Sequence, residues 1–409
     1  MVYSDRMRNE RSKPIKRPSV RAARRVGSQP SRRGASTTPA VLGGASIQRR
    51  GLHPTWVVAG VALIAVVVVL VVFAAGAFSS APAQAPADNT GGETASSDPT
   101  AITLTFAGDC TLGTDESFDR STSFNARYDS VDDPSWFFSN VAGIFAADDL
   151  SIVNMEGTLT ESSDRQDKTF AFKGDAEYAQ VLVQGDVEAA SMANNHSKDY
   201  GEQSYADTIA TLEGAGISTF GYERIAYFDV KGVKVALIGT YELALGIDVE
   251  DEMTANIRAA QEAGARIIAV YAHWGVEREY VPDDVQIELA HSAIDAGAHL
   301  VIGSHPHVIQ GYEKYKGRYI VYSLGNFCFG GNSDPDDKDC LMFQQTFAVA
   351  GDEVADDDAV DIIACSISST SERNNYQPTP AEGSEKERIE AKVRESNAAI
   401  AERSAALQD

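Results

Sequence analysis

A chain of 409 residues that is 43% apolar has enough material for one or two buried cores, which excludes a wholly disordered protein. The net charge of −24 averages two opposite segments. Residues 1–55 hold 13 Lys/Arg against two acids, for +11, while everything after residue 80 holds 22 basic against 57 acidic side chains, for −35. The acidic part has no basic groove and no glycine-rich nucleotide loop, which excludes a nucleic-acid-binding role for it.

Residues 1–55 are rich in Arg, Ser, Pro and Gly without an apolar period and read as a disordered tail. Residues 56–78 (WVVAGVALIAVVVVLVVFAAGAF) carry no charge, Asn, Gln or Pro. A hydrocarbon core of about 30 Å takes about 20 helical residues, so this segment predicts a transmembrane helix. Its length and its distance from the start of the chain favour an uncleaved anchor over a cleaved signal peptide. The basic side stays in the cytoplasm by the positive-inside rule, which makes a single-pass membrane protein with an extracytoplasmic main domain. Residues 79–100, small and polar, read as a flexible linker. All four cysteines lie beyond the anchor, and the short, turn-rich loop between Cys328 and Cys340 makes these two the expected disulfide.

From residue 101 short apolar runs alternate with helical patterns. Strands are predicted at 102–107, 150–153, 187–192, 266–272 and 299–302, with a strand pair at 225–230 and 233–239 joined by a Lys-Gly turn. Helices are predicted at 134–147, 176–183, 202–212, 255–263 and 285–296, and β-rich segments near 319–323, 341–349 and 360–368. The alternation predicts an α/β fold on one largely parallel sheet. Residues 371–409 read as a polar tail with an exposed helix over 385–407, and the run 351–358 (GDEVADDD) as an acidic hairpin turn rather than a calcium loop.

Five predicted strands run into polar clusters: Gly108-Asp109, Asn154-Met155-Glu156-Gly157, Asn194-Asn195-His196, His273-Trp274-Gly275 and Ser304-His305-Pro306-His307. Parallel strands would line these up along the carboxyl edge, where open α/β sheets place ligands. Two carboxylates, amides and several imidazoles on one edge are the donor set of a divalent metal with mixed N/O ligation. Lys173 and Glu277 are further candidates for contact with an anionic ligand or with the site, while residues 322–327 read as an edge that positions the sheet.

The strings FAGDCTLG (106–113), NMEGTLT (154–160), MANNHSKDYG (192–201), AHWGVEREY (272–280), GSHPHVIQG (303–311) and YSLGNFCF (322–329) resemble the CapA-like poly-gamma-glutamate capsule biosynthesis proteins. That family is similar to the calcineurin-like metallophosphoesterases, so the resemblance implies a four-layer α/β sandwich over 101–370 with a dinuclear metal centre. It implies Asp109 as a carboxylate ligand, Glu156 as the bridging carboxylate, Asn195 and His273 as ligands, and His305 and His307 as the closing pair, one per metal. His196 would be the general acid. The implied ions are divalent (Mn, Fe, Zn or Mg). Thr111 stands where the wider superfamily has a histidine, which implies that one ion binds more tightly than the other. The implied partners are the membrane, poly-gamma-glutamate and the capsule synthesis machinery. Two alternatives stand beside this reading: a phosphoesterase acting on an extracellular phosphate ester, and a non-catalytic export or tethering factor.

Overall fold

The computed structural model describes residues 98–355 and 359–408. The basic tail, the expected membrane helix, most of the linker and residues 356–358 of the acidic run lie outside the described residues. Among the described residues no helix is long and apolar enough to cross a membrane.

The strands in chain order are β1 (Thr100–Thr111), β2 (Leu150–Met155), β3 (Thr158–Leu159), β4 (Lys173–Gly174), β5 (Ala189–Ser191), β6 (Ser218–Phe220), β7 (Ile225–Val230), β8 (Val233–Tyr241) and β9 (Ile267–His273). There follow β10 (Leu300–Ser304), β11 (Ile309–Tyr315), β12 (Arg318–Leu324), β13 (Asn326–Phe329), β14 (Asp339–Ala350), β15 (Glu353–Val354), β16 (Val360–Ser366) and β17 (Thr379–Pro380). The helices are α1 (Phe124–Ser130), α2 (Ala142–Phe145), α3 (Ala179–Gln184), α4 (Gly201–Gly214), α5 (Glu250–Glu262), α6 (Asp284–Ala296) and α7 (Gly383–Gln408).

The fold is mixed α/β, with two large sheets where the alternation of elements alone predicts one. The first has the order β17-β16-β14-β1-β2-β5-β6, and the second β11-β12-β10-β9-β8-β7. In the first, β1, β2, β5 and β6 are parallel; in the second, β8, β9, β10 and β12 are parallel. Alternation along the strands explains how they stack. Val235 and Leu237 of β8, Ile267, Ala269 and Tyr271 of β9, and Ile302 of β10 share one core with Ile102, Leu104 and Phe106 of β1 and Ile152 of β2. The intervening residues Ala236, Ile238, Ile268, Val270 and Val301 pack outward with Met253 and Ile257 of α5 and Ile287 and Ile294 of α6. On the far side, Val153 and Met155 pack with Phe124, Phe137, Val181 and Leu212. Strands buried on both faces read as near-continuous apolar runs, so one sheet and two are indistinguishable by periodicity.

Local signals act as expected in several places. Lys231 (φ 53°) and Gly232 (φ 81°) form a two-residue turn with left-handed backbone at both positions, as a tight hairpin between β7 and β8 requires. Helix α6 starts in a reciprocal Asp283/Gln286 capping box and ends at Gly297 in the left-handed region. The acidic hairpin between β14 and β15 turns at Gly351 (φ 61°).

Three expectations are corrected. Residues 134–147 do not form one helix: a 3-10 turn (Pro134–Trp136) and the short α2 replace it, because Phe137, Phe138 and Val141 are all buried and Gln377 Nε2 takes the Trp136 carbonyl at 2.7 Å. The C-terminal helix α7 does not stand free: one face of it is docked, while the other is exposed. Ile389, Val393 and Ile400 are buried against the second sheet, while Ser396 Oγ and Asn397 Oδ1 accept the Gly311 and Tyr312 N–H groups of edge strand β11 at 2.8 and 2.7 Å. Cys328 and Cys340 are not bonded: all four cysteines are free and buried. Register is the reason, since Cys340 lies opposite Cys365 across β14 and β16, and β13 carries Cys328 alongside β1. Burial pushes the Cys110 and Cys365 thiols up to about 12, so both stay protonated.

Candidate functional site

The polar clusters come from the same end of two sheets, not from one edge. Asp109 ends the straight part of β1 where Gly108 lies so close to Gly325 that a Cβ would sit 1.9 Å from its carbonyl oxygen. Asp109 N–H then donates to that carbonyl at 3.1 Å. Asn154 and Glu156 lie at the end of β2, and Asn194, Asn195 and His196 follow β5. The second sheet supplies His273 from β9, Ser304 from β10, and His305 and His307 from the turn before β11. His305 (φ 95°) and His307 (φ 57°) both hold left-handed backbone, a cost on the order of 1–3 kcal/mol each that surrounding structure must enforce.

The six residues expected as ligands converge in one cleft, with His196 beside them. Asn195 Oδ1 lies 2.8 Å from His273 Nε2. Glu156 Oε1 is 3.7 Å from His273 Nε2, 3.7 Å from His307 Nε2 and 4.0 Å from His196 Nε2. Asp109 Oδ2 is 3.4 Å from His307 Nδ1 and accepts the His305 N–H at 3.3 Å. The rings of His273 and His305 are centred 4.8 Å apart.

Several groups outside the expected ligand set hold these side chains in place. Asn154 Nδ2 donates to Asp109 Oδ1 at 2.8 Å, and Asn194 Nδ2 donates to Asn154 Oδ1 at 3.1 Å. Ser304 Oγ lies 3.0 Å from His273 Nδ1, and Asn326 Oδ1 lies 2.8 Å from His307 Nδ1. Asp199 Oδ2 lies 2.7 Å from His196 Nδ1. A carboxylate only accepts, so the proton sits on Nδ1 and Nε2 faces the cleft. Asn154, Asn194 and Asp199 stand inside the quoted strings, and a spacing of three between His196 and Asp199 was the available signal. Phe172 covers His196 at 4.5 Å and Phe329 covers His307 at 5.1 Å.

The site's unpaired atoms set it apart. Both carboxylate oxygens of Glu156 are buried with no hydrogen-bond partner, and so are His305 Nδ1 and Thr111 Oγ1. Donor atoms of Glu156, His305 and His307 all lie within 4.8 Å of one another. A bare buried carboxylate costs several kcal/mol unless something cationic meets it. A carboxylate, imidazoles and an amide oxygen at these separations fit a divalent ion with mixed N/O ligands.

Electrostatics agree with that fit. Burial pushes Glu156 well up, and the His307 cation only partly offsets it. Burial also pushes His307 down, but the Glu156 and Asp109 carboxylates outweigh it and carry the ring up to about 10, so this pair shares one proton held on His307. Burial, then the neighbouring imidazoles, hold His273 and His305 well below the ordinary range, hence neutral and able to ligate. Burial lowers His196 too, against the pull of Asp199.

The remaining candidates fall outside the cleft or at its margin. Lys173 is turned away: its Nζ donates to the Ser162 carbonyl at 3.0 Å and sits 4.6 Å over the Tyr200 ring. Glu277 is half-buried, and its charge raises both Glu156 and His307. Tyr322 is buried and donates to Glu313 at 2.6 Å.

The sequence profile described as Bacterial capsule synthesis protein PGA_cap matches residues 103–331. PGA biosynthesis protein CapA of Bacillus subtilis (strain 168) is 32% identical over 213 residues, covering 47% of this chain and 56% of that protein. Capsule biosynthesis protein CapA of Bacillus anthracis is 30% identical over 187 residues, covering 40% and 46%. The chain thus spans about half the length of the curated relatives it matches. Among solved structures, 5'-nucleotidase from Candida albicans SC5314 aligns at TM-score 0.39 and 11% identity, covering 74% of this chain and 58% of that one. A score of this size does not establish a shared fold. The profile covers more than half of the sequence, and all six matching strings lie within its span: the chain belongs to the bacterial capsule synthesis protein PGA_cap family.

Proposed function

We propose that this protein acts at the bacterial cell surface in the synthesis or export of poly-gamma-glutamate, through a metal-dependent hydrolytic site on a calcineurin-like scaffold. The family and the CapA relatives support the pathway. The layering of helices, sheet, sheet and helices around three cores supports the scaffold. The charge-free run at 56–78 behind a basic tail supports a single-pass anchor with the domain outside. One observation carries the hydrolytic reading: Glu156, buried with neither oxygen hydrogen-bonded, faces the imidazole nitrogens of His196, His273 and His307.

In this reading Glu156, Asn195, His273 and His305 would hold the tighter divalent ion, and Asp109 and His307 are the remaining candidate ligands of the cleft. When bound, such an ion supplies a Lewis acid and makes bound water acidic enough to attack near neutral pH. The chain's own residues do the rest. Asp199 keeps the His196 proton on Nδ1, so Nε2 can take a proton inside the cleft and return it to a departing group. Phe172 and Phe329 restrict water around the two outermost imidazoles.

The test is turnover by the purified full chain, with and without Mn2+, on poly-gamma-glutamate and on a generic phosphodiester. Metal-dependent cleavage of the polymer that vanishes in His196→Ala is expected. Cleavage of the phosphodiester alone would favour a phosphoesterase. A protein that binds metal yet cleaves neither is an export or tethering factor.

A further inference from the structure

Residues 160–172 join β3 to β4 with no helix or strand of their own, and they lie across the Asn195–His196 segment. Four of the contacts that fasten this strap are made at Asp115 and Asp199. Fully buried Asp115 accepts Arg165 Nη2 at 2.9 Å and Ala171 N–H at 2.6 Å through the same oxygen. The Asp199 carbonyl accepts Gln166 N–H at 2.9 Å, and Asp199 Oδ2 accepts Phe172 N–H at 2.6 Å.

Lys168 is not one of those four, and its ammonium goes instead to the site. Nζ donates to the Asn195 carbonyl at 2.8 Å and to Asp199 Oδ1 at 2.7 Å, and lies 3.2 Å from His196 Nδ1. Resting on the metal-site reading above, we infer that Lys168 is a positioning residue that sets Asn195 and His196 together. Its bond to Oδ1, with the Phe172 N–H on Oδ2, fixes the plane of the Asp199 carboxylate. That plane aims the imidazole so that Nε2 points at Glu156 Oε1. Its bond to the Asn195 carbonyl holds the backbone from which Oδ1 reaches His273 Nε2. One compact ammonium with three donors thus ties a proposed ligand to the proposed proton carrier. Lysine suits this better than a group with a flat donor fork, because the acceptors are not coplanar partners on one carboxylate. Hydrogen bonds behind a ligand typically change metal affinity by about 10- to 100-fold when removed.

The experiment titrates the full chain with Co2+, whose visible absorption reports affinity and coordination geometry together. Lys168→Met leaves the Asp199 carboxylate without its cation, so it is read beside Lys168→Met/Asp199→Asn, in which no buried charge is stranded. If the single variant fails to fold, the double variant decides. Both are expected to bind Co2+ about tenfold or more weakly with displaced absorption bands, and Lys168→Arg, whose flat fork cannot reach both acceptors at once, to recover only a minor part of the affinity. A merely structural fastener would change the melting temperature and leave the bands in place. Wild-type affinity and spectrum in the double variant would overturn the inference while the metal site stands. No Co2+ binding by the wild type would remove the metal reading itself, and the inference with it.

Discussion

The two sheets make unequal contributions to the cleft. The first supplies both carboxylates and the amides, Asp109, Asn154, Glu156, Asn194 and Asn195, with His196. The second supplies His273, His305 and His307, with Glu277 at the margin. On the first side hydrogen bonds run in a chain from Asn194 to Asn154 to Asp109, and Lys168, Asp199 and His196 are joined likewise. Where the sheets face each other, Glu156 and His305 are left unpaired. In the proposed reading the partnered groups hold position, whereas the unpaired ones await a ligand held from both sheets.

The largest expected effect comes from removing the Glu156 carboxylate. Glu156→Gln should weaken divalent binding at least about 100-fold by calorimetric titration, since the bridging charge is gone. The same change removes the carboxylate that most helps to hold the His307 proton, so in the metal-free protein that ring should lose its proton well below pH 10, read by NMR titration. A ring that still keeps its proton up to about 10 in the variant would contradict this.

Core substitutions separate the two interfaces of the first sheet. Ile152→Ala, between the sheets, and Leu182→Ala, between the first sheet and its helices, should each cost about 2–5 kcal/mol. Only Ile152→Ala should also weaken cation binding, because it alone shifts the acids relative to the imidazoles. Equal effects on binding would break the comparison.

A smaller effect concerns pH. His307 keeps its proton up to about 10 in the metal-free site, so below that pH an ion binding there must expel one proton. Affinity for an ion that takes His307 should therefore rise about tenfold per pH unit from 7 to 9 and level off near 10, as read by proton release during titration. The smallest effect belongs to Lys173→Ala. Its ammonium serves Ser162 and Tyr200, so affinity should change less than about twofold, in contrast to Lys168, with a stability loss of about 0.5–1 kcal/mol.

Much of this contrast is legible in the sequence. Apolar runs ending in Asp109, Asn154-Met155-Glu156, Asn194-Asn195-His196, His273 and His305-Pro306-His307 mark the strand ends that carry the polar groups. Their division between two sheets is not legible, because strands covered on both faces lack the alternation that would report which layer they face. Helix α7 reads as polar since three widely spaced residues, Ile389, Val393 and Ile400, carry its burial. The cysteine pairing misleads because proximity in sequence says nothing about the register that puts Cys340 opposite Cys365. Lys168 leaves no trace, for a lysine in a polar loop reads as solvated, and only the fastened strap turns it inward.

The most direct measurement is anomalous diffraction from crystals of the full chain grown with Mn2+. A peak is expected between the sheets, about 2.0–2.3 Å from a Glu156 oxygen and from at least two of the imidazole nitrogens. A cleft with Glu156 unchanged and no anomalous peak beside it, at neutral pH and millimolar Mn2+, would contradict the metal-site reading.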